Sequence, residues 1–437
     1  MIRAEATITI ERPALLQGEI TPPGDKSISH RAAILNGIAS GRAEISNFAP
    51  GNDCLATTTC LRALGVPIRR TGAGDSSIVS VDGKGADGLR EAANVLDARD
   101  SATAMRLLGG LLSGLPFLTI ITGDASLRSR PMDRLIEPLR LMGADISGRA
   151  VDSYAPLVIK GRRLMGVEFA LPVASAQIKS ALLLAGLFAS GDTVLRQPSP
   201  SRDHTERLLR LMGARLEDDG NTVSLRPLSG HLAPVSLRVP GDISSAAYFL
   251  VAGTVHGNAR IIIRDCGVNP TRTGIIDVLL AMGARLKLLN QRVEAGEPLA
   301  DAVVESSDLK GVDIGGDLIP RLIDEIPVLA VAACSARGKT VIRGARELRV
   351  KESDRIATVS TELSRLGATI EALPDGMIVH GGKTLSGAEV SSHLDHRLAM
   401  TLGVAALIAK GKTTIKHANA ARVSYPSFWQ DMRQLSS

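Results

Sequence analysis

One short pattern recurs along the chain: a leucine-rich helix end, a glycine, and then a strand of alternating residues. Its copies are LRALGVPI, LRLMGADI, LRLMGARL, LLAMGARL and LSRLGATI, with glycines at Gly65, Gly143, Gly213, Gly283 and Gly367. Glycine often ends a helix in the left-handed conformation, and alternating apolar residues after it predict a strand. Because each copy must form the same local structure, this repeat constrains the fold more than any other feature of the sequence.

A second pattern, an apolar helix rich in Ala and Leu, occurs six times. Its copies open near Ser27, Ser101, Ser175, Ser244, Asp324 and His396. Together the patterns predict an α/β fold of six repeated βαβαβ-type units of about 73 residues, in which a buried helix alternates with a surface helix. The last copy lacks its final glycine and strand, so we expect the amino-terminal strand, Ala6 to Glu11, to complete it.

The chain also repeats at half its length. Pro23-Gly24-Asp25 precedes the first buried helix, and Pro240-Gly241-Asp242 precedes the fourth. We therefore predict two globular domains of three repeats each, one spanning residues 24–239 and the other combining residues 1–22 with 240–437. A cleft between domains is a common place for a ligand, so we expect the active site there.

Composition excludes several classes of protein. No apolar stretch is long enough to span a membrane, and the amino terminus has no export signal. Four cysteines without a C-x-x-C pair argue against disulfides and zinc and favour the cytoplasm. The net charge is +6, but aromatic residues make up only 2%, which argues against nucleic-acid binding. The positive charge favours a small anionic substrate.

Cationic side chains cluster where helices are predicted to start. Helix starts attract anions through unpaired N–H groups and the helix dipole, and Arg and Lys are the usual ligands of carboxylate and phosphate. The segments are GDKSISHR, RDSATAMR, ASAQIKS, IDEIP, DHRLAM, LRSRPM, SRDHTE and RVKESDR. Their recurrence predicts a site for a ligand with several negative charges.

Six segments, GDKSISHR, T-A-M-R, R-P-M, A-S-A-Q, R-V-K-E-S-D-R and D-H-R, follow one another in that order along the chain. They resemble the EPSP synthase family of enolpyruvyl transferases along nearly the whole chain, and the wording ASAQ, with Ala176 in place of a second Ser, is similar to its second class. The resemblance implies a two-domain inside-out α/β barrel. It also implies transfer of the enolpyruvyl group of phosphoenolpyruvate to the 5-hydroxyl of shikimate 3-phosphate, with release of phosphate, in aromatic amino acid biosynthesis. We expect no metal, no cofactor and a monomer.

The resemblance further implies the site residues. Those for shikimate 3-phosphate are Lys26, Ser27, Arg31, Ser175, Ala176, Gln177, Arg202, Asp324 and Lys351. Those for phosphoenolpyruvate are Lys26, Ala102, Arg130, Gln177, Arg355 and Arg397. The implied acid–base groups are Asp324, expected at the hydroxyl, Glu352, expected at the methylene carbon, and Lys26.

Two of the departures from the family's common N-A-G-T segment, which here reads D-S-A-T, bear on the pocket. Asp100 stands in place of Asn, and we expect it to weaken phosphoenolpyruvate binding unless it is paired with Arg99 or Arg130 or turned away. Ala102 stands in place of Gly, and its methyl group is expected to narrow the pocket. We therefore expect tolerance of glyphosate, an inhibitor of this family that is longer than phosphoenolpyruvate.

Two alternatives fit parts of the sequence. UDP-N-acetylglucosamine enolpyruvyl transferase has the same repeat fold but uses a cysteine on a mobile loop, and the corresponding stretch, Gly123 to Pro131, has none. The four cysteines of this chain are expected to be small buried hydrophobes. A non-catalytic repeat scaffold would explain the repeats, but not the carboxylates at Asp324 and Glu352 among cationic helix starts.

Overall fold

The computed structural model describes residues 7–72 and 77–436. The chain divides into two compact units, each described by itself. The first unit comprises Gly24–Val239 and Val293–Glu297, and the second combines the described residues up to Pro23 with Pro240–Arg292 and those from Pro298 onward.

Helices of two kinds alternate in both units. The helices of the first unit are α1 (Lys26–Ile38), α2 (Asn52–Ala63), α3 (Ala102–Ser113), α4 (Ala125–Arg128), α5 (Asp133–Leu141), α6 (Arg149–Asp152), α7 (Ala176–Gly186) and α8 (His204–Leu211). Those of the second are α9 (Ile243–Val255), α10 (Gly274–Met282), α11 (Leu318–Leu322), α12 (Ile326–Ser335), α13 (Arg355–Arg365), α14 (His396–Ala406) and α15 (Phe428–Leu435). Helices α1, α3, α7, α9, α12 and α14 are buried along almost their whole length. These are the predicted buried helices, and each begins within two residues of its predicted opening.

The strands of each unit form small mixed sheets. In the first unit they are β3 (Ser40–Ser46), β4 (Ile68–Thr71), β5 (Ile78–Lys84), β6 (Leu96–Asp97), β7 (Leu118–Thr122), β8 (Asp145–Gly148), β9 (Tyr154–Lys160), β10 (Leu164–Met165), β11 (Glu168–Ala170), β12 (Ala189–Ser190), β13 (Thr193–Arg196), β14 (Leu216–Asp218), β15 (Thr222–Leu225) and β16 (Leu237–Arg238). In the second they are β1 (Ile8–Glu11), β2 (Leu16–Ile20), β17 (Ala259–Gly267), β18 (Arg285–Glu294), β19 (Glu297–Glu305), β20 (Asp313–Ile314), β21 (Lys339–Ile342), β22 (Thr369–Leu373), β23 (Gly376–His380), β24 (Glu389–Ser391) and β25 (Lys412–Lys416).

The sheets repeat one order. The strand after each buried helix pairs in parallel with an edge strand and antiparallel with the second strand after the surface helix. The resulting orders are β16-β3-β5-β4, β6-β7-β9-β8, β11-β13-β15-β14 and β20-β21-β23-β22. The sheet β18-β19-β17-β2 has the same central pairings. This repetition is the α/β architecture predicted from the sequence. Closure of each unit into an inside-out barrel stays a prediction.

The last sheet, β1-β25-β24, confirms the expected role of the amino-terminal strand. Strand β25 follows α14, and β1 pairs antiparallel with it from Ile8 opposite Ile415 to Glu11 opposite Lys412. Strand β1 thus pairs with the strand after a buried helix as β5, β9, β15 and β23 do in other sheets. Ala6, the predicted first residue of this strand, lies outside the described residues.

The five repeated glycines end surface helices as predicted. Their φ angles are 95° for Gly65, 87° for Gly143, 92° for Gly213, 98° for Gly283 and 92° for Gly367. After α5, the Gly143 N–H donates to the carbonyl of Arg140 at 2.9 Å and the Ala144 N–H donates to that of Leu139 at 3.0 Å. The other four ends have the same two bonds. This pair of bonds is the Schellman motif, which satisfies carbonyls at a helix end.

Each unit has its own hydrophobic core, built from the buried helices and the inner faces of its sheets. In the first unit, for example, Leu107, Leu108, Leu111 and Leu112 of α3 are fully buried. In residues 7–72 and 77–436, no helix has both the length and the apolar character that crossing a bilayer requires.

The glycine caps give a stability prediction with a matched control. A Cβ at Gly143 would meet no atom within 4 Å, so Gly143→Ala adds only the strain of a left-handed alanine, and we expect it to lower the unfolding free energy by about 1 kcal/mol. Gly230 also has open space around it but no left-handed φ, so Gly230→Ala should be neutral or slightly stabilising. Urea unfolding checks both, and equal effects of the two substitutions would contradict the prediction.

Candidate active site

Most buried helices are capped by a side chain that satisfies N–H groups of the first turn. The capping residues are Asp25 for α1, Ser101 for α3, Ser175 for α7, Asp242 for α9 and Asp395 for α14. Helix α12 differs, because no side chain caps it in the described structure and Pro327 occupies its first turn. Asp324 lies two residues before the first residue of this helix.

In the second unit, the predicted site residues meet at Asp324. One carboxylate oxygen lies 3.7 Å from Lys351 Nζ and 3.6 Å from Arg355 Nη1, and the other lies 3.7 Å from Arg397 Nη2. Arg397 also donates from Nη1 to the Asp324 carbonyl at 3.2 Å. Three cations from the starts of α13 and α14 and the segment before α13 therefore surround one carboxylate.

Arg355 joins the remaining predicted residue, Glu352, to this cluster. Arg355 is 1% exposed and donates from Nε to Asp395 at 2.8 Å. Its Nη2 donates to Glu352. Asp395 is fully buried and accepts a further bond from the Ser353 hydroxyl at 3.0 Å. This network fixes the start of α13 against the start of α14 and holds Glu352 next to the guanidinium that faces Asp324.

The electrostatics of these arginines follow from their partners. Burial acts against a charged guanidinium, but Asp395 and Glu352 together raise the pKa of Arg355 above its usual range. Burial also opposes the charge of Arg397, whereas the negative charge of Asp324 is the main cause that raises its pKa. Both side chains therefore stay cationic at any working pH.

A buried network next to Asp324 was missed by the sequence analysis. Glu325 is 1% exposed and accepts a bond from the Ser244 hydroxyl. Arg272 Nη2 donates to the same hydroxyl at 2.6 Å and lies 3.9 Å from Glu325. This network anchors the peptide that carries Asp324. In the sequence, only the adjacent carboxylates Asp324 and Glu325 pointed to this network, because its other members, Arg272 and Ser244, come from other repeats.

In the first unit, Arg31 links three of the predicted helix starts. Its Nε donates to Thr205 at 2.6 Å, its Nη2 to Ser180 at 2.7 Å, and its Nη1 to the carbonyl of Ser27 at 3.0 Å. Burial lowers the pKa of Arg31 to about 10, and the nearby charge of Arg202 acts in the same direction. Arg31 is still cationic at neutral pH, and the region therefore holds two neighbouring positive charges.

Gln177 is held by two residues of the T-A-M-R segment. Its amide nitrogen donates to the Thr103 hydroxyl at 2.9 Å, and its amide oxygen accepts a bond from Arg106. Arg106 also donates from Nη2 to the carbonyl of Pro131 at 3.0 Å, which ties down the segment that carries Arg130. Arg106 is thus a positioning residue that sequence reasoning did not assign. The remaining predicted residues lie at helix starts, Ala102 as the first residue of α3 and Ala176 as the first residue of α7, which Ser175 caps.

Lys26 has a partner that the sequence did not predict. Its Nζ lies 2.7 Å from the carboxylate of Asp53, the second residue of α2. Asp100 in turn contacts Asp53 through a side-chain hydrogen bond. Asp100 was expected to pair with Arg99 or Arg130 or to turn away; its hydrogen-bonding partner is another carboxyl group, brought to it by the packing of α2 against the strand before α3.

The cysteines lie where a structural role was expected, and His396 beside the Asp324 cluster is also buried. Cys54, Cys60, Cys266 and Cys334 are all buried. Burial raises the pKa of Cys60 and of Cys334 to about 12, so these thiols are poor acids for catalysis. Burial also lowers the pKa of His396 to about 4 and keeps its ring neutral.

Comparison with known proteins agrees with this arrangement. Residues 10–432 match the family described as EPSP synthase (3-phosphoshikimate 1-carboxyvinyltransferase). The 3-phosphoshikimate 1-carboxyvinyltransferase of Herpetosiphon aurantiacus is 52% identical over 98% of this chain and 99% of its own. That of Bacillus cereus is 50% identical over 96% and 97%. A solved EPSP synthase from Acinetobacter baumannii is 41% identical, with a TM-score of 0.88 over 99% of this chain and 98% of that one.

The resemblance read from the sequence is therefore confirmed, and so is the two-domain α/β fold that it implied. Neither UDP-N-acetylglucosamine enolpyruvyl transferase nor a non-catalytic scaffold accounts for identity of this extent with enzymes of one activity. On the evidence of its repeats, its capped helix starts and these relatives, the chain belongs to the EPSP synthase family of transferases.

Proposed function

We propose that this protein is a cytoplasmic enzyme that transfers the enolpyruvyl group of phosphoenolpyruvate to the 5-hydroxyl of shikimate 3-phosphate and releases phosphate. The observation that carries the proposal is the Asp324 carboxylate surrounded by Lys351, Arg355 and Arg397 within 4.0 Å. The reaction of two phosphorylated acids requires a group that can transfer a proton, such as a carboxylate, and cations that can bind their negative charges. Membership of the EPSP synthase family identifies these acids as phosphoenolpyruvate and shikimate 3-phosphate.

Asp324 is the proposed base for the 5-hydroxyl. As its proton leaves, the hydroxyl oxygen bonds to C2 of phosphoenolpyruvate, and the methylene carbon receives a proton from Glu352 or Lys26. The resulting tetrahedral adduct then loses a proton from the new methyl group as the C–O bond to phosphate breaks. Arg355 and Arg397 would stabilise the carboxylate and phosphate charges through this sequence, because both stay cationic.

The residues of the first unit have proposed binding roles. Ser27, Arg31, Ser175, Ala176, Gln177 and Arg202 are proposed to hold shikimate 3-phosphate, and Lys26, Ala102, Arg130 and Gln177 to contact phosphoenolpyruvate. The bonds from Arg106 and Thr103 support the assignment of Gln177, since a side chain held at both ends is pre-organised for a ligand. The interdomain cleft and the monomeric state stay predictions.

A phosphate-release assay tests the activity directly. We expect phosphate only when both phosphoenolpyruvate and shikimate 3-phosphate are present, and none when UDP-N-acetylglucosamine replaces the shikimate compound. Release with the sugar nucleotide, or no release with either acceptor, would overturn the proposal.

The carboxylates give a kinetic prediction. Asp324→Asn and Glu352→Gln keep the size of each side chain but remove its proton-transfer capacity, so each should lower kcat by about 10²- to 10⁴-fold. Asp317→Asn, at an exposed residue before α11, is the matched control and should keep wild-type kinetics. Rapid-quench trapping should show less adduct for Asp324→Asn. Wild-type kcat in either site variant would contradict its assigned role.

Ala102 gives a prediction about inhibition. Its side chain is 7% exposed at the start of α3, where we propose that it shortens the pocket for phosphoenolpyruvate. Ala102→Gly should therefore lower the glyphosate concentration for half-inhibition by about 10-fold or more, the usual effect of one methyl group in a tight pocket. The KM for phosphoenolpyruvate should change much less. Tight inhibition of the wild type, or an unchanged half-inhibition value in the variant, would contradict the prediction.

A further inference from the structure

We propose that Asp100 is a positioning residue that shares one proton with Asp53, and that this carboxyl pair sets the affinity for phosphoenolpyruvate through Lys26. The inference rests on the proposed function, because it concerns how that reaction's anionic substrate is bound. It assigns a role to the residue that departs from the family's common segment at this position.

The geometry is a chain of three side chains from three neighbouring helix starts. Lys26 is the first residue of α1, Asp53 the second residue of α2, and Asp100 lies directly before the cap of α3. Lys26 Nζ is 2.7 Å from Asp53 Oδ2, and the Asp53 side chain is only 12% exposed. Asp100 bonds to the Asp53 carboxyl group, and its own Oδ1 is buried without a hydrogen-bond partner among the described residues.

Two carboxyl groups can share a hydrogen bond only when one of them is protonated, because an ionised carboxylate has no donor. Burial acts to raise the pKa of Asp53, but the neighbouring Lys26 charge outweighs it and lowers this pKa to about 2. Burial and the negative charge of Asp53 raise the pKa of Asp100 to about 7. Asp100 therefore holds the proton, and the pair carries one negative charge that Lys26 neutralises.

The other titratable groups near the pair are His30, Asp25 and Cys54. His30, on the next turn of α1, is buried, and burial lowers its pKa to about 3, so its ring is neutral. Its Nδ1 lies 2.7 Å from the Thr57 hydroxyl of α2. Asp25 caps α1, and the Cys54 thiol donates to the carbonyl of Lys26. The neutral ring of His30 therefore adds no charge to this cluster near neutral pH.

The protonation state of Asp100 decides what Lys26 can do. With the proton in place, Asp100 has the shape and the donor of an asparagine, and the cluster of three groups is neutral. When the proton leaves, two negative charges face one ammonium group. They hold Lys26 more tightly and repel an incoming phosphate or carboxylate.

The first experiment measures the KM for phosphoenolpyruvate from pH 6 to pH 8.5 in the wild type, in Asp100→Asn and in Asp97→Asn. The wild-type KM should equal that of Asp100→Asn near pH 6 and exceed it by about 10-fold at pH 8, the factor expected when only the protonated form binds. Asp97→Asn, which removes an exposed charge from the same segment, should keep the wild-type profile. If Asp100→Asn follows the wild-type pH profile, the role in affinity is overturned.

A second experiment needs no substrate and so stands apart from the proposed activity. A carboxyl group with a raised pKa in the folded state binds its proton more tightly there than in the unfolded chain, so its contribution to stability falls as pH rises from about 4 to about 7. The Tm of Asp100→Asn minus that of the wild type should therefore grow between pH 5 and pH 8, while the difference for Asp97→Asn stays flat. A flat difference for Asp100→Asn would overturn the shared proton itself. Lack of turnover with a growing Tm difference would instead count against the proposed function alone.

Discussion

The structure depends on how the ends of fully buried helices are satisfied. A helix with no face in water must still find partners for the N–H groups of its first turn. Asp25, Ser101, Ser175, Asp242 and Asp395 do this with short side chains, which concentrates polar residues where the helices begin. One of these caps also positions cations of the cluster around Asp324: Arg355 binds the Asp395 carboxylate, and Arg397 lies two residues after Asp395. The start of α14 is therefore both capped and lined with cations.

Much of this was predictable because the repeats are local and each copy supports the others. A single glycine after LRLM, or a single small polar residue before an Ala-rich run, predicts a helix boundary only weakly. Because both patterns recur along the chain, they predicted the helix ends and the order of the elements. The amino-terminal strand could be assigned to the sixth repeat because that copy lacked a strand. At the site, Asp324, Lys351, Glu352, Arg355 and Arg397 were named from the sequence and lie in one cluster.

The remaining contacts were not predictable, since they join residues far apart in the chain that no local pattern relates. Three such contacts form only after the repeats have packed: Lys26 with Asp53, Glu325 with Arg272, and Gln177 with Arg106. Asp100 was expected to pair with an arginine or to turn away, whereas its partner is the carboxyl group of Asp53. Proton sharing was invisible in the sequence because it depends on burial and proximity, which composition does not report.

The pairing of β1 with β25 and of β2 with β17 has a consequence for synthesis on the ribosome. Residues 24–239 emerge as one continuous stretch, whereas strands β1 and β2 of the second unit are made first and their partners much later. Strand β2 can pair only after residues 259–263 have been synthesised, and β1 only after β25, which ends at Lys416. Both strands therefore lack their sheet partners through most of translation. Exposed strands of this kind are prone to mispairing, so β1 and β2 are open to wrong partners until residues 259–263 and 412–416 have been made.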